Sequence, residues 1–363
     1  MGVYEKSKAF MNNFFENIET KTVNFSVKAL RTWQLKNKYI AKTDYIDPIF
    51  KKNIKKYWNK YTKSININWH KYYSSRNGIY DVRYIPDDLY YTVIDQHFNN
   101  RKYGWGVNDK NYYKIWFKDV KQPKTVIHKI NNILYNENYE ILSDEKAINM
   151  CSKYDGLIIK PAVETGGSKG IEFWNKSNGI EKLIDLLKNG SSNLIIQELI
   201  TQHEELGKIH FNSVNTIRTI SLLFKGEVHI LSSVLRMGID GSKVDNASAG
   251  GITCGIRADG RLKDVAYSAK GIKYEKHPQG YVFNECVVPS YDKVLELIKN
   301  QHIKMAHFRL ISWDIAIGQD GEPILIEANL RNGQCDFHQF NNGPLFGDLT
   351  DDVLEEVFGK ITN

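Results

Sequence analysis

The chain has 363 residues, 42% hydrophobic and 25% charged, an ordinary soluble balance that can bury a large core over two or three domains without metal or disulfide staples. No run approaches the ~18 apolar residues of a membrane-spanning helix, and MGVYEKSKAFMNNFF carries neither an apolar h-region nor a small-residue cleavage site; the expected location is the cytoplasm. The net charge of +7 is uneven, with 26 Lys+Arg against 15 Asp+Glu in residues 1–150 and 23 against 27 afterwards. A basic front half can meet phosphate, nucleic acid or an anionic membrane surface, but the lack of a dense Lys/Arg run, zinc-finger spacing or an RNP-type motif argues against nucleic acid and for a solvated basic face.

Residues 1–65 read as a basic helical extension, with Phe10, Phe14 and Phe15 as one apolar set and Ile46, Phe50, Ile54 and Tyr57 as another. The Lys-rich face between Lys51 and Lys63 lies on the second of these helices. It is either an amphipathic helix packed on its own domain or a peripheral contact to a membrane or to polysaccharide enzymes. Residues 66–150 read as an N-terminal α/β domain, with a Pro-led helix start at Ile85-Pro86, a helical period from Asp109 to Val120, and strand then helix over Glu140–Met150. The composition changes near residue 150. Beyond it come short β-rich runs separated by Gly-rich turns and a few helices, such as Gly179–Leu187 and Ser290–Lys299. Such hairpins mixed with helices predict α+β layers rather than a doubly wound parallel sheet. Two subdomains are expected, over 151–200 and 201–363. Cys151, Cys254, Cys286 and Cys335 stand singly with no CxxC pair, as reduced buried or half-buried thiols do.

In YDGLIIKPAVETGGSKGIEFW an apolar strand ends in Lys160-Pro161, and a loop containing Gly166, Gly167 and Ser168 leads to the next strand. Glycines let backbone N–H groups turn toward an anion, and a lysine after three apolar residues calls for an anionic partner. The loop is not of the GxxxxGK[ST] type, and a plain hairpin turn is the alternative reading. NLIIQELI then ends a buried run in Gln197 and Glu198, which suits edge-on hydrogen bonding to a heteroaromatic ring and equally suits a surface strand end.

Arg218 and Arg236 interrupt apolar strands, where a guanidinium wants a carboxylate or phosphate; a structural ion pair is the competing reading. A tight Lys225-Gly226 turn predicts Arg218 opposite Ser233, which would turn Arg236 to the other face unless a bulge intervenes. GSKVDNASAGGITCGI, holding Asp245, Asn246, Gly250 and Gly251, is a ligand loop or a surface loop. His203 and His277 read as structural. In WDIAIGQDGEPILIEAN, Asp320-Gly321 is a strong two-residue hairpin signal. With those residues as the turn, Asp314 faces Glu327, and Asn329 shares their face because strand side chains alternate. Two opposed carboxylates repel, and a hard divalent cation removes that repulsion. Gly318 and Pro323 near the turn are the residues that could slip the register.

Read in order, these pieces resemble the ATP-grasp superfamily, most closely the sugar-transfer-associated ATP-grasp family. The resemblance is carried by INWHKYYSSRNGIYDVRYIPDDLY, NDKNYYKIWF, IIQELITQHEEL, SVNTIRTISLL, LRMGIDGSKVDNASAGGI, HPQGYVF and ISWDIAIGQDGEPILIEAN, over residues 68–332. It implies an ATP-grasp fold with ATP clasped between two α+β subdomains. Lys160 and the Gly166–Ser168 loop would meet the phosphates, as would Lys110, with Lys114 as its rival. Gln197, Glu198 and Ile200 would take the adenine, and Glu204 is one candidate for the ribose. Arg218 would meet the phosphates or the acyl phosphate. Asp314, Glu327 and Asn329 would hold two Mg²⁺, with Glu327 bridging. Many relatives carry an arginine two residues before the first metal aspartate; Ser312 stands there, which turns attention to Arg236 or Arg331. Asn246, Gly250, Gly251 and Arg331 would face the substrate.

The implied activity is an ATP-dependent carboxylate–amine ligase acting through an acyl phosphate, on small-molecule carboxylate and amine substrates linked to envelope polysaccharide synthesis. The alternatives are an ATP-grasp kinase and a non-catalytic nucleotide-binding partner of a glycosyltransferase assembly.

Overall fold

A computed structural model describes residues 20–39, 44–100, 103–163, 169–246 and 249–359. Phe10, Phe14, Phe15, Gly166, Gly167 and Ser168 lie outside the described residues. The chain divides into two compact units, residues 1–98 with 342–363, and residues 99–341.

The first unit is helical among its described residues. Helix Pro48–Trp58 starts where Asp47 accepts hydrogen bonds from the Ile49 and Phe50 amides (2.8 and 2.9 Å) and Pro48 fills the first helical position. Phe50, Ile54 and Trp58, four apart, are its buried stripe. Tyr57, expected on that stripe, is half-buried, and Trp58 takes its place and donates its indole N–H to the Val82 carbonyl at 2.8 Å. Helix Asn68–Asn77 buries Trp69, Tyr72 and Tyr73, and ends at Gly78 in the left-handed conformation (φ 73°) that glycine adopts without strain. The C-terminal helix Thr350–Phe358 belongs to this unit, tied by Tyr61 to Asp351 (2.6 Å) and Arg83 to Asp348 (3.1 Å). The boundary expected at residue 65 therefore falls inside one unit, because the two helices flanking it share an aromatic core.

The second unit carries two wholly antiparallel sheets, as the α+β expectation requires. The smaller has five strands, β1 (Thr125–Ile130), β2 (Ile133–Tyr135), β3 (Gly156–Pro161), β4 (Glu172–Asn175) and β5 (Leu194–Glu198), in the order β2-β1-β5-β3-β4. Ile127, Leu157, Ile159 and Ile196 form its core with Ala147, Cys151, Leu183 and Leu187 of helices Asp144–Ser152 and Ile180–Asn189. Since β1 pairs with β5, this sheet spans residue 150, and the boundary expected there is corrected. The change of composition at 150 marks a helix-to-strand step within one layer.

The larger sheet has seven strands, β6 (Thr216–Phe224), β7 (Glu227–Met237), β8 (Ile252–Ile256), β9 (Leu262–Ser268), β10 (Lys273–Tyr274), β11 (Leu310–Ile317) and β12 (Pro323–Asn329), in the order β10-β9-β8-β7-β6-β11-β12. One face is apolar: Ile217, Leu235, Ile311, Trp313 and Ile315 pack in one core with Val294 and Ile298 of helix Tyr291–His302. Alternation sends the polar residues of the same strands to the other face, and the candidate site is there. All four cysteines are buried and free.

Candidate functional site

Two β-bulges set the geometry. The 318–322 turn is longer than the two residues expected, with Gly318 N–H donating to the Glu322 carbonyl (3.0 Å) and Ile317 opposite Pro323. Carried down the hairpin, that register would set Asp314 against Ile326. A bulge between the Asp314 and Ile315 pairs takes up one residue, Ile326, and restores Asp314 opposite Glu327 and Ser312 opposite Asn329. In β6–β7 the turn is Lys225-Gly226, as expected, with φ positive at both residues (50° and 86°). A bulge between the Ile220 and Ser221 pairs then moves Arg218 from its expected partner Ser233 to Val234. Arg218 and Arg236 consequently point from the same face.

That face holds a buried charge network. Arg218 lies opposite Asp314 across β6–β11 and grips it with two nitrogens, Nε at 2.6 Å from Oδ1 and Nη2 on Oδ2. Arg236 Nη1 reaches the same carboxylate at 3.1 Å, and its Nη2 reaches Asp245 at 3.0 Å. The Thr216 hydroxyl donates to the other Asp245 oxygen. Burial alone would raise the Asp314 pKa, but the two guanidinium charges and their hydrogen bonds outweigh it and hold the group at about 2. Arg218 keeps Nη1, which donates to Gln334 at 3.3 Å.

Asp245 ties the loop after β7 to this network. Within the loop the Asn246 carbonyl accepts from the Ala249 and Gly251 amides. A Cβ on Gly251 would sit 2.4 Å from the Asp245 carbonyl oxygen and 2.9 Å from that of Met237, so the backbones approach as only glycine allows. Gly250 adopts φ 100°. Arg331 follows β12, half-buried.

The lysines arrive from the other side. Lys110, behind an Asp109 N-cap, places Nζ 2.7 Å from Glu327 Oε1. Its approach is fixed by Tyr113, whose hydroxyl accepts from Ala328 N–H (3.2 Å) and donates to the Ala328 carbonyl (3.3 Å) on the outer edge of β12. Lys114, the rival, turns away to the Glu137 carbonyl at 3.0 Å. Lys160, at the end of β3, is buried and makes no hydrogen bond or ion pair among the described residues. Burial first, and the charge of Lys110 second, lower its pKa to about 8 against the pull of Glu327.

Between the sheets lies a cavity of about 1260 Å³ lined by Lys160, Ile158, Phe173, Gln197–Gln202, Glu204 and Ile326. The bulge residue thus contributes its side chain to the cavity while its successor faces Asp314. Gln197 donates to the Pro123 carbonyl and the Thr125 hydroxyl, while its Oε1 is buried with no partner among the described residues. Glu198 pairs with Lys124 at 3.0 Å, and Ile200 lines the wall. Glu204 opens the short helix Glu204–Gly207, which His203 caps through Nδ1. His277 bonds the Gly238 carbonyl at 2.9 Å, a structural contact, while His203 also lines the cavity.

Both Asp314 oxygens are taken by Arg218 and Arg236, so the donors left for a hard divalent cation are those of Glu327 and Asn329. Glu327 has one oxygen engaged by Lys110, and the Asn329 amide nitrogen donates to the Ser312 carbonyl (3.1 Å), which directs its oxygen the other way. Among the described residues no cluster of three His, Cys, Asp or Glu is present. A metal here would complete its shell with phosphate oxygens and water, as magnesium does.

Sequence reasoning placed Asp245 in a loop that could meet a ligand but gave it no role, and did not single out Thr216, Gln334, Tyr113 or Ile326. Asp245 had one usable signal, an acid in a loop directly after a strand carrying a buried arginine. Ile326 had none, because it lines the cavity only through the bulge.

A model of the sugar-transfer associated ATP-grasp family matches residues 92–352, well over half of the chain. No protein of curated function matches it. Among solved structures it is similar to the ATP-grasp ligase PsnB complexed with a minimal precursor, at 14% identity and TM-score 0.43, covering 71% of this chain and 64% of that one. D-alanyl-alanine synthetase A from Vibrio cholerae gives 13%, 0.40, 68% and 65%. L-amino acid ligase from Bacillus licheniformis gives 13%, 0.39, 70% and 48%. The chain spans less than two thirds of each of these three proteins.

Proposed function

The chain belongs to the sugar-transfer-associated ATP-grasp family, and from that premise we propose that it is an ATP-dependent carboxylate–amine ligase working through an acyl phosphate. The observation that carries this reading is Lys160: a buried ammonium without a hydrogen-bond partner among the described residues, beside a second lysine, on the wall of a cavity large enough for a nucleotide. A buried unpaired cation is costly, and an anion that enters beside it removes the cost. Polyphosphate is the anion that also suits the neighbouring carboxylates through a bridging cation.

On this reading the base of ATP lies in the apolar part of the cavity against Ile158, Phe173 and Ile326, with Gln197–Ile200 along its edge. Lys160 and Lys110 would hold phosphate oxygens. Asp314, Glu327 and Asn329 would hold Mg²⁺, one ion or two, with Asp314 yielding an oxygen now bonded to an arginine; the ion would neutralise charge on the transferred phosphoryl group. Arg218 and Arg236 keep Asp314 ionised and oriented, and Arg218 Nη1, fixed in direction by the two-nitrogen grip on Asp314, becomes free for the transferred group if the Gln334 side chain moves aside.

A substrate carboxylate oxygen attacks the γ-phosphorus, the bond to the β,γ-bridging oxygen breaks, and ADP leaves. An amine then attacks the acyl carbon, the carbon–oxygen bond to phosphate breaks, and the amine gives up a proton to solvent as the amide forms. Asn246, Gly250, Gly251 and Arg331 would meet the acid or the amine. The family's association with sugar transfer supports a sugar acid or amino sugar joined to an amino acid or other amine, in capsule or other envelope polysaccharide synthesis in the cytoplasm.

ADP release measured with candidate sugar acids, with and without amino acids, tests the proposal. Ligation predicts an amide product whose formation requires both partners. A phosphorylated product formed equally well without amine would make the enzyme a kinase and sink the ligase reading.

A further inference from the structure

Lys110 reaches Glu327 from the short turn Lys110–Tyr112, and the backbone of that turn is fastened at several points. The Lys110 N–H donates to the Ala162 carbonyl (3.0 Å), two residues beyond Lys160. Asn111 is fully buried and has all four of its polar atoms engaged. Its N–H bonds Asp109 Oδ1 (2.9 Å), and its Nδ2 donates to the Lys129 carbonyl of β1 (3.3 Å). Its Oδ1 accepts from His128 Nδ1 (3.0 Å), and its carbonyl accepts the Tyr139 hydroxyl at 2.6 Å. With the Asn111 amide turned this way, the imidazole proton sits on Nδ1. Burial first, and the charge of Lys114 second, lower the His128 pKa to about 4, so the ring is neutral at pH 7.

Tyr139 makes its contact from a backbone conformation it does not favour. Its φ is 62°, in the left-handed region that a bulky residue occupies only at a cost. The surrounding turn holds it there. Asn136 Oδ1 accepts from the Asn138 and Glu140 amides (2.9 and 3.0 Å), and the exposed Lys114 ammonium bonds the Glu137 carbonyl (3.0 Å). The Tyr139 ring stacks on His128, with centres 4.8 Å apart, and on Tyr112 at 6.3 Å. The strained residue thus delivers a stacked ring and one hydroxyl to the segment that carries Lys110.

We propose that Asn111 and Tyr139 are positioning residues for Lys110, fixing the turn from which its ammonium meets Glu327 and the nucleotide phosphates; this rests on Lys110 being a phosphate contact. A lysine ammonium rides on a flexible four-carbon stem, so its placement depends on how firmly the backbone beneath it is held. Asn111 and Tyr139 spend their own polar groups on protein partners. Their influence on nucleotide therefore passes through the turn.

Titration calorimetry of MgATP into the full chain, as wild type, Tyr139→Phe, Lys110→Met and the double variant, tests it as a mutant cycle. Tyr139→Phe keeps the ring and loses the hydroxyl. It is expected to keep the wild-type circular dichroism and to weaken MgATP about fivefold, the scale of one hydrogen bond. In the Lys110→Met background the same substitution should change nothing, because the side chain it acts through is gone. Asn136→Ala, which loosens the turn and leaves Asn111 and Tyr139 in place, is expected to show the same dependence on Lys110. Wild-type affinity in Tyr139→Phe, or an equal loss from either substitution with and without Lys110, overturns the inference and leaves the ligase reading standing. Undiminished MgATP affinity in Lys110→Met removes Lys110 from the phosphate site, and the inference falls with that assignment.

Discussion

Lys160 ties the charge of the site to its stability. Its folded pKa of about 8 lies below the unfolded lysine value, so between pH 8 and 10.5 the unfolded chain binds more protons than the folded one. Stability conferred by this residue therefore rises with pH through that window, and below pH 8 the buried charge costs about 3 kcal/mol. Lys160→Met is expected to melt higher than wild type at pH 7 without nucleotide and to lose MgATP binding; a lower melting temperature would show that Lys160 already has its anion. Because nucleotide favours the ammonium, MgATP binding near pH 8.5 should take up protons, seen by calorimetry in buffers of different ionisation enthalpy.

Asp314 behaves oppositely. Its folded pKa of about 2 lies below the unfolded value, so its contribution is present at neutral pH and is lost as pH falls through 2. Asp314→Asn leaves buried Arg218 without its counter-charge and Arg236 with Asp245 alone, which costs about 3–5 kcal/mol. Glu327 has 29% of its side chain exposed, so Glu327→Gln should keep the wild-type denaturation midpoint and lose ADP production. A Glu327→Gln protein as unstable as Asp314→Asn would contradict this difference in burial.

At the scale of elements, the two bulges decide which side chains share a face. The pairing of Asp314 with Glu327 was legible in the sequence although the turn was not. The longer turn shifts the register by one residue and the Ile326 bulge shifts it back. Arg218 and Arg236 were legible as buried cations in search of an acid. Their convergence on Asp314 was not, because nothing local in SLLFKGEVHILSSVLR marks where β7 takes up its extra residue. Bulges depend on how a sheet twists over its neighbours, and that is not written in the alternation of one strand.

Ile326→Ala should raise the KM for ATP several-fold with the denaturation midpoint nearly unchanged, since a half-buried side chain is lost from the cavity wall. Gly251→Ala should force the loop off the Asp245 carbonyl, costing about 1–3 kcal/mol and lowering kcat more than it raises the KM for ATP; kinetics with ATP varied separates the two.

At the scale of the molecule, α+β layering and family were legible because hairpin signals, a lysine-tipped strand and the final acidic hairpin survive in order. The domain limits were not. Composition changes at residue 150 inside a sheet, and the C-terminal helix returns to the N-terminal unit through long-range contacts such as Tyr61 to Asp351. All the described candidate site residues lie within residues 99–341, which form one compact unit. The most direct test is titration calorimetry of ATP into wild type and Glu327→Gln, with magnesium and with a chelator. The proposed site predicts wild-type binding that requires magnesium and is at least about tenfold weaker in Glu327→Gln, equivalent to 1.4 kcal/mol. Equal affinity in both proteins, unaffected by chelation, would contradict it.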